Sequence, residues 1–309
     1  MKFRELIESK GIYLQRVGSR EYYTYWTRPK KAENVECESS IQPETAILIQ
    51  GPIKYEDDFT FETVKLYKKM FPQSPLIVST WSNEDKDVLR KIEEEGARVC
   101  LSDPPDPDSV QNYSVNLQLK NTKKGIELAK QEGYLFCAKT RSDQRIYSWN
   151  ALSFCRKMIE MFPVEDKEEG IRGRILTTSM GTFDKRLYNI SDLFLFGYTD
   201  DMLLYYSCPE DLRAHRYEKH PDDFVEYSKL KTGEIWFSTC YMEAIGHKLL
   251  WTKQDSEEVM RDYFIIIDAE SIDLFWAKYT KREYRWRTYT NEGLKPITYS
   301  DWFLMYCDR

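Results

Sequence analysis

The chain has 309 residues, with 45 basic and 51 acidic side chains, a formal charge of −6 and 41% hydrophobic content. That balance describes a globular chain long enough for one large α/β domain, and it excludes a bulk affinity for nucleic acid, which needs a basic surface. No run approaches the ~18 apolar residues of a membrane span, and Met1-Lys2-Phe3-Arg4-Glu5-Leu6 lacks the apolar core of a secretion signal, so neither secretion by that route nor membrane insertion is expected.

Residues 1–43 read as a polar, aromatic leader that packs on the main domain, with a short helix near Phe3 to Ser9 and a β-rich piece around Tyr22-Tyr23-Thr24-Tyr25-Trp26. From residue 45 four short apolar runs follow: Ala46 to Pro52, Leu76 to Trp81, Arg98 to Asp103 and Tyr134 to Lys139. Each is continuously apolar and closed by a polar or turn residue, as expected of parallel strands covered on both faces. Helical spacing separates them. Phe61, Val64, Tyr67 and Met70 recur before Pro72; Val88, Leu89 and Ile92 follow an expected N-cap at Ser82 or Asn83; a third helix spans about Val115 to Glu132 and stops at Gly133. Strand and helix alternating in this way predict right-handed crossovers and a Rossmann-like half.

Beyond Asp143 the pattern changes. A helix is expected from about Ser148 to Phe162, then an acidic loop over residues 165–170, a strand at Arg174 to Thr178 and an apolar run at Leu193 to Gly197. A further helix begins at Glu234, and the chain closes in an aromatic, basic tail. Cysteines at 37, 100, 137, 155, 208, 240 and 307 form no Cys-x-x-Cys pair and fit reduced thiols in a cytosolic protein.

In an open α/β sheet ligands bind beyond the carboxyl ends of the strands. This directs attention to Lys139-Thr140-Arg141-Ser142-Asp143-Gln144 and Arg145 after the fourth run, where a carboxylate can hold a cation while guanidinium groups pair phosphate oxygens. The plainer reading of Asp143 is a turn acid paired with Arg141 or Arg145, a contact worth little at a surface. Gln50-Gly51-Pro52 ends the first strand, where glycine permits close backbone approach to a ligand, though an ordinary turn accounts for it equally. Trp81 and Asn83, ending the second, suit stacking on and hydrogen bonding to a nucleoside, while a helix cap would explain the same residues. Gln50, Trp81, Asp103 and Asp143 are expected around one crevice. His215, His220 and His247 lack zinc spacing, and there is no Gly-x-Ser-x-Gly, Walker loop or Gly-x-Gly-x-x-Gly, which demotes hydrolase, ATPase and dinucleotide-oxidoreductase readings.

Asn116-Leu117-Gln118, Lys123 to Ala129 and Cys137 to Gln144, taken with Ile49 to Ile53, Ser79-Thr80-Trp81, Gly181-Thr182-Phe183, Leu193 to Gly197 with Asp200, and Gly233 to Phe237, resemble the WavE lipopolysaccharide-synthesis family. The likeness spans roughly residues 45 to 250. It implies a bacterial GT-A-like glycosyltransferase: one α/β domain with an N-terminal, mostly parallel Rossmann-like sheet flanked by helices. Residues 1–43 would be the leader, 44–144 the nucleotide-binding half and 145–309 the acceptor-binding half. By that resemblance Asp143 takes the place of a metal-binding Asp-x-Asp motif for Mn2+ or Mg2+, and Arg141 stands where its first acid would be. Gln50, Gly51, Pro52, Trp81, Asn83, Lys139, Arg141 and Arg145 would hold the donor.

Within this reading a sugar moves from a nucleotide-activated donor to a hydroxyl of a glycan or lipid-linked glycan, in synthesis of lipopolysaccharide or capsule. The site must neutralise the departing phosphate and take the acceptor proton. Glu234 is the expected acid or base, with Asp200 and Asp201 behind it, although Glu234 also simply favours a helix N-terminus. The protein is expected in the cytoplasm, and Trp276, Trp286 and Trp302 interleaved with Lys278, Lys281, Arg282, Arg285 and Arg287 offer a peripheral contact with the inner membrane face or, more plainly, a charged helical surface with tryptophans packed inward. Another Rossmann-type transferase such as a methyltransferase, and a non-catalytic scaffold of a polysaccharide-assembly complex, stay open.

Overall fold

The computed structural model describes residues 13–17, 22–26, 28–33, 35–38, 42–104, 113–164, 170–213, 221–279 and 293–308. Two leader strands, β1 (Tyr13–Val17) and β2 (Tyr22–Trp26), pair as an antiparallel ribbon. The predicted helix at Phe3 to Ser9, the acidic loop at 165–169, His215, His220 and Lys281 to Arg287 lie outside the described residues.

A seven-stranded sheet forms the centre. Its first four strands are β3 (Thr45–Gln50), β4 (Leu76–Trp81), β5 (Arg98–Ser102) and β6 (Phe136–Arg141). Between them run α1 (Phe59–Met70), α2 (Lys86–Glu94) and α3 (Tyr113–Gln131). β3 lies between β4 and β6, all parallel, with β5 outside β4. The chain thus moves outward from β3 to β5 and then returns to the other side of β3, and the gap between the ends of β3 and β6 is where the winding reverses. Strands β3 and β4 are buried along their whole length, which accounts for their continuous apolar sequence. α3 crosses so close to the sheet that a Cβ on Gly125 would come within 2.3 Å of Leu48 Cδ1, so this helix position accepts only glycine without a shift.

The sheet then extends past β6 through β9 (Leu195–Tyr198), β8 (Ile175–Thr178) and β10 (Phe264–Ile267), and so includes both halves of the chain. β9 alone is antiparallel to its neighbours. A short ribbon pairs β7 (Gln144–Ile146) with β11 (Leu274–Trp276). The remaining α-helices among the described residues are α4 (Ala151–Met161), α5 (Thr199–Tyr205), α6 (Phe224–Lys229), α7 (Glu234–Ala244), α8 (Lys253–Tyr263) and α9 (Tyr299–Cys307). α9 opens on a Thr298 and Asp301 capping box and packs on α8 and β10.

The expected mostly parallel α/β sheet flanked by helices is present, with four local corrections. α2 is capped by Asp85, whose carboxylate accepts from the N–H groups of Asp87 and Val88, and not by Ser82 or Asn83; the chain makes one more turn before entering the helix. β6 continues to Arg141, two residues past the expected break, because Lys139 is buried in the sheet instead of marking its rim. Asp200 and Asp201 sit at the opposite edge of the sheet from Asp143. β9 runs antiparallel, so the acids after it face the other way; Asp201 accepts from the backbone of Arg172 and Gly173, and Asp200 pairs with Lys130 and Arg172. The tail contains helix α9, and Trp302 is fully buried with its Nε1 donating to the Met260 carbonyl at 3.1 Å.

Candidate functional site at the carboxyl ends of β3 and β6

Side chains directly opposite in a parallel pair share a face. Leu48 touches α3 and pairs with Lys139; two residues on, Gln50 pairs with Arg141. Lys139, Arg141 and Gln50 therefore project on the α3 side of the sheet, at the point where the winding reverses. Asp143, Gln50, Trp81 and Asp103 follow four adjacent strands along one edge, in the order β6, β3, β4, β5.

The floor between β3 and β6 is tightly joined. The Ser142 amide donates to the Gln50 carbonyl at 2.9 Å and its hydroxyl to the Pro52 carbonyl at 2.6 Å. Gly51 has φ +122, and a Cβ there would lie 2.8 Å from Ser142 Oγ. Glycine is required on both counts. Glu84 fixes the loop above, accepting from the Ile53 amide at 2.8 Å and the Thr80 hydroxyl at 3.0 Å. Gln50 is buried, and its Oε1 has no partner among the described residues.

Arg141 meets Asp143 in two hydrogen bonds, Nε to Oδ1 at 2.9 Å and Nη2 to Oδ2 at 3.2 Å. The β7–β11 ribbon brings Trp276 to the same carboxylate, its Nε1 donating to Oδ2 at 2.9 Å, and the Arg141 guanidinium lies 5.4 Å from the Trp276 ring centre. Burial disfavours charge on Asp143, but the Arg141 and Trp276 hydrogen bonds outweigh it and hold the carboxyl below its usual range. Burial likewise opposes charge on Arg141, and Asp143 more than restores it. Two of the five guanidinium N–H groups are used, leaving the others for a ligand.

Lys139 is fully buried behind Arg141. Its Nζ donates to the Asp192 carbonyl and lies 3.8 Å from Asp192 Oδ2. Burial pushes its pKa down to about 8, with Asp192 opposing and the Arg141 charge adding to the fall. Asp192 precedes β9 and is itself buried; after burial, its charge is the next cause that raises the Tyr205 and Tyr206 hydroxyls. Glu234, at the first turn of α7, is the smallest of the named causes that favour charge on Lys139 and Arg141.

Not every expected residue comes to this crevice. Arg145 is buried in the interior, donating to Thr63 Oγ1 at 2.8 Å and to the carbonyls of Lys30 at 2.8 Å and Phe59 at 2.9 Å, with its guanidinium 4.0 Å from the Phe59 ring centre. Its donors serve the fold, which corrects the expectation of a donor-binding role. Lys139 reaches a ligand only through its charge. Trp81 is mostly buried at the end of β4, and Asn83 is exposed in the following turn. The expected divalent cation does not fit the residues present. Both Asp143 oxygens already carry donors from Arg141 and Trp276, a cation there would touch a guanidinium, and no group of three His, Cys, Asp or Glu able to hold a metal occurs among the described residues.

Among the described residues no helix is long and apolar enough to cross a membrane. The family model described as WavE lipopolysaccharide synthesis matches residues 45–233. No curated protein matches the sequence. Solved structures with some likeness include a protein described as a nucleotide-diphospho-sugar transferase from Desulfovibrio desulfuricans, 11% identical, TM-score 0.37, covering 73% of this chain and 80% of that one. A cytidylyltransferase from Leptospira borgpetersenii is 15% identical, TM-score 0.34, over 72% and 94%. Core-mannan synthase A from Aspergillus fumigatus, in a Mn/GDP form, is 9% identical, TM-score 0.34, over 85% and 87%.

Proposed function

Because the chain belongs to the WavE lipopolysaccharide synthesis family, we propose that it is a GT-A-like glycosyltransferase that moves a sugar from a nucleotide-activated donor to a saccharide hydroxyl in building a bacterial surface polysaccharide. The observation that carries the reading is the pairing of Gln50 with Arg141 at the reversal point of the sheet, which puts a guanidinium with unused donors where open α/β sheets bind their ligands. A nucleoside diphosphate suits that place. Arg141 pairs the phosphate oxygens in the forked geometry that favours phosphate, and Gly51 makes the tight turn that seats Ser142 beside it.

When the bond between the sugar and the phosphate breaks, negative charge grows on the leaving oxygen, and a donor already aimed there stabilises it without reorganisation. Arg141 takes this role, with Lys139 behind it adding positive charge from a buried position. Asp143 and Trp276 set the direction of Arg141. Glu234 accepts the proton of the attacking hydroxyl. The acceptor is a glycan, free or lipid-linked, and the reaction belongs at the cytoplasmic side of the membrane, where nucleotide-activated donors are made.

The experiment is a turnover screen of the purified protein against UDP-, GDP-, CDP- and CMP-sugars, with release of free nucleotide as the readout, in the presence and absence of saccharide acceptors. Release from at least one donor, accelerated by an acceptor, is expected. No release across the panel contradicts the proposal.

A further inference from the structure

An opening lies between α3 and the segment Cys208 to Glu210, with a volume of about 500 Å3. Lys120, Lys123 and Lys124 line it from one face of α3, at the spacing of residues that stand one turn apart. Lys124 donates to the Leu101 carbonyl. Lys120 and Lys123 are half-buried and make no ion pair among the described residues. Half-buried ammonium groups facing one cavity offer charge-assisted donors to the anionic groups of a ligand, beside the carboxylates of Asp103, Glu127 and Glu210 that line the same cavity.

Ser102, the last residue of β5, also lines the cavity. It is only 3% exposed and its hydroxyl has no partner among the described residues. A buried donor left unsatisfied in the lining of a lysine-lined cavity is a second, independent sign of a ligand. The remaining lining is mixed. Leu119 and Pro209 offer apolar surface for a ring face, and Asp103, Glu127 and Glu210 offer carboxylates for hydroxyl donors. Trp236 holds the far wall by donating from Nε1 to the Pro209 carbonyl at 3.0 Å. Ammonium groups, carboxylates and apolar faces together suit an acidic saccharide better than a bare polyanion, which the three acids would repel.

We propose that this cavity binds the phosphate or carboxylate groups of an acidic saccharide, which on the transferase reading above is the acceptor. The cavity reaches the same sheet edge as the donor crevice, since Ser102 and Asp103 end the strand beyond β4.

Titration calorimetry at low salt tests it, with a heparin-derived tetrasaccharide as the acidic probe, maltotetraose as the neutral one and UDP, GDP and CDP as nucleotides. The acidic tetrasaccharide is expected to bind at least tenfold more tightly than maltotetraose. The double variant Lys120→Gln with Lys123→Gln, both on the helix surface, is expected to lose at least tenfold in that affinity while nucleotide affinity stays within twofold. Arg141→Ala is expected to leave tetrasaccharide binding unchanged. The proposal is overturned if the wild type does not prefer the acidic probe, if the lysine variant binds it normally, or if that variant loses nucleotide binding, which would give the cavity to the donor. A failed turnover screen would count against glycosyl transfer and leave these titrations as they are.

Discussion

Arg141 and Asp143, two residues apart at the end of β6, close on each other through Nε to Oδ1 at 2.9 Å and Nη2 to Oδ2 at 3.2 Å. The acid that a strand-end motif offers to a metal is therefore spent on orienting a guanidinium. Titration of Mn2+ followed by electron paramagnetic resonance is expected to show no site in the protein without nucleotide. A stoichiometric site in the free protein, abolished by Asp143→Asn, would return the metal role to Asp143.

Gly51 and Ser142 tie the ends of β3 and β6. Gly51→Ala puts a Cβ 2.8 Å from Ser142 Oγ at a φ of +122, and is expected to cost about 1–3 kcal/mol in urea unfolding. Removing the hydroxyl relieves the contact and not the backbone strain. Gly51→Ala with Ser142→Ala should therefore be less destabilised than the sum of the single changes. Strict additivity would show that the two residues do not press on each other.

Lys139 gives a pH dependence of known sign. Its native pKa of about 8 lies below the ordinary 10.5, so between those values the unfolded chain binds more protons and stability rises with pH. The stability of the wild type minus that of Lys139→Gln is expected to grow across this window by an amount on the order of 3 kcal/mol. Chemical denaturation at a series of pH values measures it. A flat difference from pH 8 to 10.5 would mean that Lys139 is not buried as a charged group.

The first half of the fold is legible because β3, β4 and β6 are buried along nearly their whole length, while the edge strand β5 exposes Arg98 and Leu101 and is still marked by its short apolar run. Arg141 and Asp143 follow from the same logic. Asp192 does not, because an acid before an apolar run lies at the binding edge only if that strand is antiparallel, and strand direction leaves no mark in composition. Trp276 was readable only as part of a basic, aromatic tail; its place on Asp143 depends on a return of the chain more than 130 residues later. Phe264-Ile265-Ile266-Ile267 is an unbroken apolar run of strand length, set directly after the polar helix α8.

Arg145 separates a structural arginine from a binding one. It donates to Thr63, Lys30 and Phe59 in the interior, and losing these charge-assisted bonds at a buried site is expected to cost about 3 kcal/mol or more. Arg145→Ala should lower the unfolding midpoint sharply and leave nucleotide affinity of the folded fraction within twofold. A stable variant with weakened nucleotide binding would restore Arg145 to the donor site.

Arg141 is proposed to hold the donor's diphosphate. Titration calorimetry of UDP, GDP and CDP against the wild type and Arg141→Ala tests it directly, with circular dichroism showing that the variant is folded. For the nucleotide that the wild type prefers, loss of one charge-assisted phosphate pair predicts at least about tenfold weaker binding, from the ~1.5–3 kcal/mol such contacts contribute. Binding by the folded variant within twofold of the wild type would contradict the account.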